Sequence, residues 1–132
     1  MRTHSKIAII LVDHGSQHAE ANDMLVEVAR LVKTQAGGAI VEHAHMELAE
    51  PTVEQAFEAC LAKGAEHVAV LPYFLAPGRH STVDIPRLAA EAAGKFPGIT
   101  YTVTEPLGID WRMIDLVLRR VDEALAPEAS RR

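Results

Sequence analysis

Four short runs of β-branched and other apolar residues are spread along the chain, and each is followed by a segment with helical periodicity. "KIAIILV" (Lys6–Val12) has the continuous apolar character of a strand covered on both faces. From Glu20 to Val32, apolar residues recur at Met24, Leu25, Val28, Leu31 and Val32, one stripe of a helix, and Gly37-Gly38 closes it. "AIVEHAHME" (Ala39–Glu47) reads as a strand, and "PTVEQAFEACLAKG" reads as a helix opened by Pro51 and ended by Gly64. "HVAVLPYFL" (His67–Leu75) is a third strand, followed by a helix over Ser81–Lys95. Pro86 in that helix implies an irregular first turn before the regular part. "GITYTVTEPL" holds a fourth strand, and Asp110–Leu125 a last helix; the end of the chain, residues 127–132, has no apolar anchor and is expected to fray.

Strands alternating with helices at this interval require right-handed crossovers and hence a parallel sheet. The expected architecture is a four-stranded α/β domain, flavodoxin-like, with helices on both faces. The unbroken repeat implies one domain over residues 1–126. In open sheets of this kind, ligands sit beyond the carboxyl ends of the strands. The segments to inspect are therefore Asp13–His18, His45–Glu50, Leu75–His80 and Glu105–Gly108.

Composition removes several classes of function. A formal net charge of −5 gives no global basic field for nucleic acid. Cys60 is the single cysteine, so no internal disulfide and no multi-cysteine zinc site can form. A reducing cytoplasm is the expected compartment. No leader peptide is expected at the N-terminus, and no stretch approaches the roughly 20 apolar residues of a membrane span. The chain does carry seven histidines, the unusual entry in its composition.

The first loop, "DHGSQH", has one glycine and no lysine, a poor phosphate cradle, which disfavours a nucleotide-binding module. Ser16 lacks the flanking glycines of a nucleophile elbow and suits a helix N-cap. His43 and His45 lie two apart on one strand and share a face: a metal pair, or the solvated side of an edge strand. Glu50 precedes a helix, where an acid is ordinarily dipole-stabilising. "PGRHST" brings Arg79, His80, Ser81 and Thr82 together after the third strand, with Ser81 or Thr82 available to cap the next helix. His67 lies at the other end of that strand and reads as structural. His14, Glu47 and His80 each follow a different strand at one edge of one sheet. Two imidazoles and a carboxylate suit Fe²⁺, Co²⁺, Ni²⁺ or Zn²⁺ and leave coordination positions open.

"AIILVDHGS", "VEHAHMELAEP", "GAEHVAVLPYFLAPGRHSTVDIP" and "EPLG" together resemble the small class II chelatases of modified-tetrapyrrole synthesis. The chain is most similar to the short single-domain sirohydrochlorin ferrochelatases and cobaltochelatases. The resemblance implies a flavodoxin-like fold and insertion of Fe²⁺ or Co²⁺ into sirohydrochlorin, with Ni²⁺ in a related branch. It places the two metal-binding histidines at His14 and His80 and an assisting acid at Glu47. It also implies a homodimer, because one lobe does not make the cleft of the two-lobed members. No organic cofactor is implied; the metal is a substrate. Asp13, where many cobalt-type members have glycine, would orient His14 or be merely tolerated. Arg79, with Ser16, Ser81 and Thr82, are candidates to hold the carboxylates of the polyanionic substrate. The competing reading is a metal-binding or delivery protein that uses the same histidines without catalysis.

Overall fold

The computed structural model describes residues 6–127. Its elements are β1 (Ile7–Asp13), α1 (Ala19–Gln35), β2 (Ile40–His45), α2 (Val53–Ala62), β3 (His67–Pro72), α3 (Ile85–Gly94), β4 (Thr100–Val103) and α4 (Trp111–Leu125), with a π-helical turn at His80–Asp84 before α3. All four strands are parallel, in the order β2-β1-β3-β4. This is the expected α/β architecture. Residues 128–132, most of the tail expected to fray, and His4 lie outside the described residues.

Alternation along the strands divides the core into two layers. Ala8, Ile10 and Val12 of β1 with Val68 and Val70 of β3 face α2 and α3, where Phe57, Ile85 and Ala89 close the larger cluster. Leu11 of β1 and Val41 of β2 face the other way, against Leu25 and Ala29 of α1. Cys60 is in the larger layer and fully buried. Loss of solvent around the thiol pushes its pKa up to about 12, so the reactive thiolate is suppressed. A disulfide reagent is therefore expected to leave the native protein unlabelled and to modify one thiol once denaturant unfolds it. Labelling at the rate of a free thiol in native buffer would contradict this burial.

The helix boundaries follow local chemistry, with two differences from the sequence reading. Pro51 does not open α2. Thr52 is the N-cap and forms a capping box with Gln55: Gln55 N donates to Thr52 Oγ1 (3.1 Å) and Thr52 N donates to Gln55 Oε1 (2.8 Å). Pro51 precedes the cap, with a cis Glu50–Pro51 peptide bond. Ser16 does not cap α1 either. His18 holds that position without a side-chain cap bond. Ser16 lies two residues earlier, where its Oγ accepts from His18 N (3.0 Å), a local turn that competes with a cap. Ahead of α3 the expected irregular turn is present. The π-turn ends with Ile85 N donating to His80 O, and Pro86 takes the second position of α3, where a missing N–H costs nothing.

Candidate metal centre

The parallel ladder decides which side chains meet. Asp13 of β1 and His45 of β2 are register partners and point to the same face. His45 Nδ1 donates to Asp13 Oδ1 at 2.5 Å, with the imidazole 1% exposed. Asp13 thus holds His45, not His14. Of the two expectations, that Asp13 orients His14 or is merely tolerated, neither describes its bond to His45, which register decides and sequence separation does not reveal. His45 is committed to this bond and shares an edge-to-face ring contact (5.5 Å) with the half-buried His43. Burial and the neighbouring imidazole lower the pKa of His43, so it is disfavoured as a cation. His45→Ala would leave Asp13 without its buried partner and open a cavity, at an expected cost of about 3 kcal/mol in urea unfolding. Asp13→Asn keeps an acceptor and should cost less than half of that; equal losses would show that the pair carries no stability.

Beyond the strand ends the two chains continue side by side. Met46 N donates to Asp13 O (2.9 Å) and Glu47 N to His14 O (3.1 Å). This extension places the Glu47 carboxylate against the His14 ring, with His14 Nε2 2.9 Å from Glu47 Oε1. The other nitrogen, Nδ1, donates to the Gly15 carbonyl at 3.1 Å. A carbonyl only accepts, so Nδ1 carries hydrogen and Nε2 is the nitrogen turned to the carboxylate. Gly15 makes the approach possible. Its φ is +95°, and a Cβ there would lie 1.9 Å from the Glu47 carbonyl oxygen. Asn22 clamps the same loop: its Oδ1 accepts from Ser16 N (2.9 Å) and its Nδ2 donates to Ser16 O (2.8 Å).

The third loop brings His80 to the same edge. The His14 and His80 rings stand edge to face with centroids 5.0 Å apart. His80 is fixed from two sides. Its Nδ1 bonds Asp84 Oδ2 at 3.0 Å, and Phe74 stacks on its ring (6.1 Å, 25° between planes). This leaves Nε2 of His80 as the free ligand atom, with the acceptor that orients an imidazole for a metal already in place. Ser81 is buried and fully used inside the loop, accepting from Gly78 N (3.0 Å) and donating to Gly78 O (3.2 Å). Thr82 Oγ1 donates to the same carbonyl (2.7 Å). Neither caps α3, whose N-cap is Asp84, its carboxylate turned to His80 and making no cap bond. Arg79 is exposed beside His80 and has no carboxylate partner among the described residues.

His14 therefore meets both Glu47 and His80 at the carboxyl edge. Among the described residues no three His, Cys, Asp or Glu side chains are grouped closely enough to hold a metal ion, so the three candidates do not form a complete ligand set in this arrangement. An open pair of imidazoles with one carboxylate beside it suits an ion that must be handed on; a closed tetrahedral set suits one that stays. Glu50 is spent on Gln55 Nε2 (2.9 Å), and His67 on Thr100 and Thr102 hydroxyls (2.6 and 2.9 Å), both structural as expected. The sequence reading missed Asp84, Phe74 and Asn22. Only Asp84 carried a signal, its i+4 spacing from His80 on a helical stretch.

A family model for CbiX matches residues 8–124. The chain belongs to the CbiX family. This CbiX chain is 49% identical over 118 residues to the chloroplastic sirohydrochlorin ferrochelatase of Arabidopsis thaliana, covering 89% of this chain and 52% of that one. It is 33% identical over 129 residues to a sirohydrochlorin cobaltochelatase of Methanosarcina barkeri, covering 91% and 98% respectively. Among solved structures, SirB from Bacillus subtilis with Fe³⁺ superposes with a TM-score of 0.85 at 33% identity, over 92% of this chain and 48% of that one. The chain thus spans about half the length of the plant and Bacillus relatives.

Proposed function

We propose that this protein inserts a divalent metal ion, Fe²⁺ or Co²⁺, into sirohydrochlorin, in siroheme or cobalamin synthesis, with residues 1–126 acting as one chelatase domain. The observation that carries the reading is the pair of imidazoles, His14 and His80, brought to 5.0 Å from different strand ends with Glu47 on His14 Nε2. The relatives support it by their names, ferrochelatase and cobaltochelatase, and the SirB structures hold Fe³⁺ or cobalt. Ni²⁺ insertion into the same macrocycle is the neighbouring reaction, chosen by metal supply more than by ligand type.

The chemistry follows from the ligand atoms. The ion binds at His14 Nε2 and His80 Nε2, and the proton shared by His14 Nε2 and Glu47 Oε1 is released to solvent. Nδ1 of each ring stays on its oxygen, Gly15 O or Asp84 Oδ2, and holds the lone pair on target. As the ion enters the macrocycle, two pyrrole N–H protons leave it. Glu47, freed from His14, and the imidazole that releases the ion are the bases within reach. Arg79 is placed for a charge-assisted hydrogen bond to a substrate carboxylate, and Thr82 and Ser16 lie on the same loops. Ser81 acts by shaping the Gly78 turn. The active form is a homodimer. The reaction suits a reducing compartment such as the cytoplasm, where iron stays ferrous.

The test is to follow the absorption spectrum of sirohydrochlorin with Fe²⁺ or Co²⁺ and catalytic protein. Turnover above the spontaneous rate supports the enzyme. Tight metal binding with no acceleration would leave a delivery protein instead.

A further inference from the structure

One leucine at the edge of the site works against the fold. Leu48 has φ +70°, and among the described residues no other non-glycine residue has a positive φ. In the left-handed region a Cβ crowds the carbonyl oxygen that follows it, and glycine or asparagine takes this conformation at much lower cost. The loop compels the turn. Glu47 N donates to His14 O (3.1 Å) just before Leu48, and His45 N donates to Pro51 O (2.9 Å) across the base of the loop. On the far side Glu50 is tied to Gln55, and Thr52 closes its capping box. With both flanks pinned, the strain persists.

The side chain does not offset that strain by packing inside. Leu48 is 55% exposed and belongs to neither core layer. Backbone geometry here favours glycine or asparagine, and water favours a polar side chain; leucine satisfies neither. Its position supplies the reason. Leu48 directly follows Glu47, whose carboxylate lies 2.9 Å from His14 Nε2. Strand order sets Leu48 beyond β2, His14 beyond β1, His80 beyond β3 and Ile109 beyond β4, all at the carboxyl edge. On the β4 flank, Leu107 N donates to Phe74 O (2.9 Å) and Gly108 N to Leu75 O (2.8 Å), which joins two loops and leaves Leu75 and Ile109 exposed. The candidate ligands thus lie between exposed apolar side chains. A tetrapyrrole that takes an ion from His14 must bring its centre to that ion, so its ring spreads over the neighbours of the ligands. The body of that ring is conjugated carbon, and its carboxylates lie on the rim.

We propose that Leu48 is a substrate contact, kept exposed by its strained backbone so that its side chain packs on the face of the tetrapyrrole ring beside the metal ligands. This rests on the metal-insertion reading of the preceding section and names a residue that holds the macrocycle. Leu48 recognises the apolar ring; the ion and the rim carboxylates are left to His14, His80 and Arg79.

The experiment separates binding of the macrocycle from binding of the metal. Sirohydrochlorin without metal is titrated into the full chain and followed by absorption, and Co²⁺ is titrated separately without macrocycle. Leu48→Asn suits the left-handed turn and removes the apolar surface. Its Kd for sirohydrochlorin is expected to rise about tenfold, with Tm at or above that of the parent and Co²⁺ affinity unchanged. Leu48→Met keeps the apolar bulk and is expected to bind sirohydrochlorin like the parent. If Leu48 served only to shape the loop, Leu48→Asn would lose Tm and Co²⁺ affinity together as Glu47 moves, and that result overturns the proposal. Equal sirohydrochlorin affinity in the parent and Leu48→Asn also overturns it and leaves metal insertion standing. A parent chain that binds no sirohydrochlorin overturns both.

Discussion

His14→Ala and His80→Ala are each expected to reduce metal insertion at limiting metal by at least about 100-fold, with the fold unchanged. The reason is geometric. Each histidine brings one orientated nitrogen to the site, and nothing nearby can replace it. His45 is buried on Asp13, His43 is on the strand behind it, and Glu50 is held by Gln55. Either ring can be removed without disturbing the core, since both are partly exposed. Glu47→Gln should be milder than the histidine variants, because the amide retains a hydrogen bond to Nε2 but takes up no proton. The measurement is the initial rate of sirohydrochlorin metalation against metal concentration. Full rate in either histidine variant would end the assignment of that residue as a ligand.

Gly15→Ala should be the most damaging single methyl group that can be added near the site. The new Cβ would sit 1.9 Å from the Glu47 carbonyl oxygen and 3.0 Å from the His45 Cβ, on a backbone at φ +95°. Neither neighbour can yield cheaply. The Glu47 backbone is fixed by its bond to His14 O, and His45 is packed in the core. Left-handed strain and the clash together should cost about 3 kcal/mol or more, which lowers Tm by roughly 10 °C in a chain of this size. Insertion should fall as well, since the loops must part and Glu47 then leaves His14. A variant within 2 °C of the parent would mean that the two loops do not make this contact in solution.

The order of strands and helices was legible because its signals are local. β-branched runs, 3.6-residue stripes and closing glycines depend on near neighbours in the chain. So did the irregular turn before α3, since a proline removes its hydrogen bond wherever it stands. The parallel sheet then followed from connection rules, and with it the edge at which His14, Glu47 and His80 gather. Family resemblance chose among the chemistries that two imidazoles and a carboxylate permit.

What failed was local competition and register. Ser16 has the right chemistry for a cap, but its hydroxyl closes a turn on His18. Thr52 took the cap that Pro51 was expected to open, because its partner Gln55 lies three residues on. Asp13 was read as orienting its chain neighbour His14 or as merely tolerated, whereas strand pairing gives it to His45, 32 residues away.

The sequence by itself determined the element order, the sheet edge and the identity of the candidate ligands, because each depends on spacing along the chain. Only the tertiary structure decided which acid holds which imidazole, that Gly15 makes room for Glu47, and that no residue of α4 is buried among the described residues. Those facts depend on strand register, on the close approach of two loops and on what packs against a helix. All three are distances between residues far apart in the chain, and no local pattern encodes them.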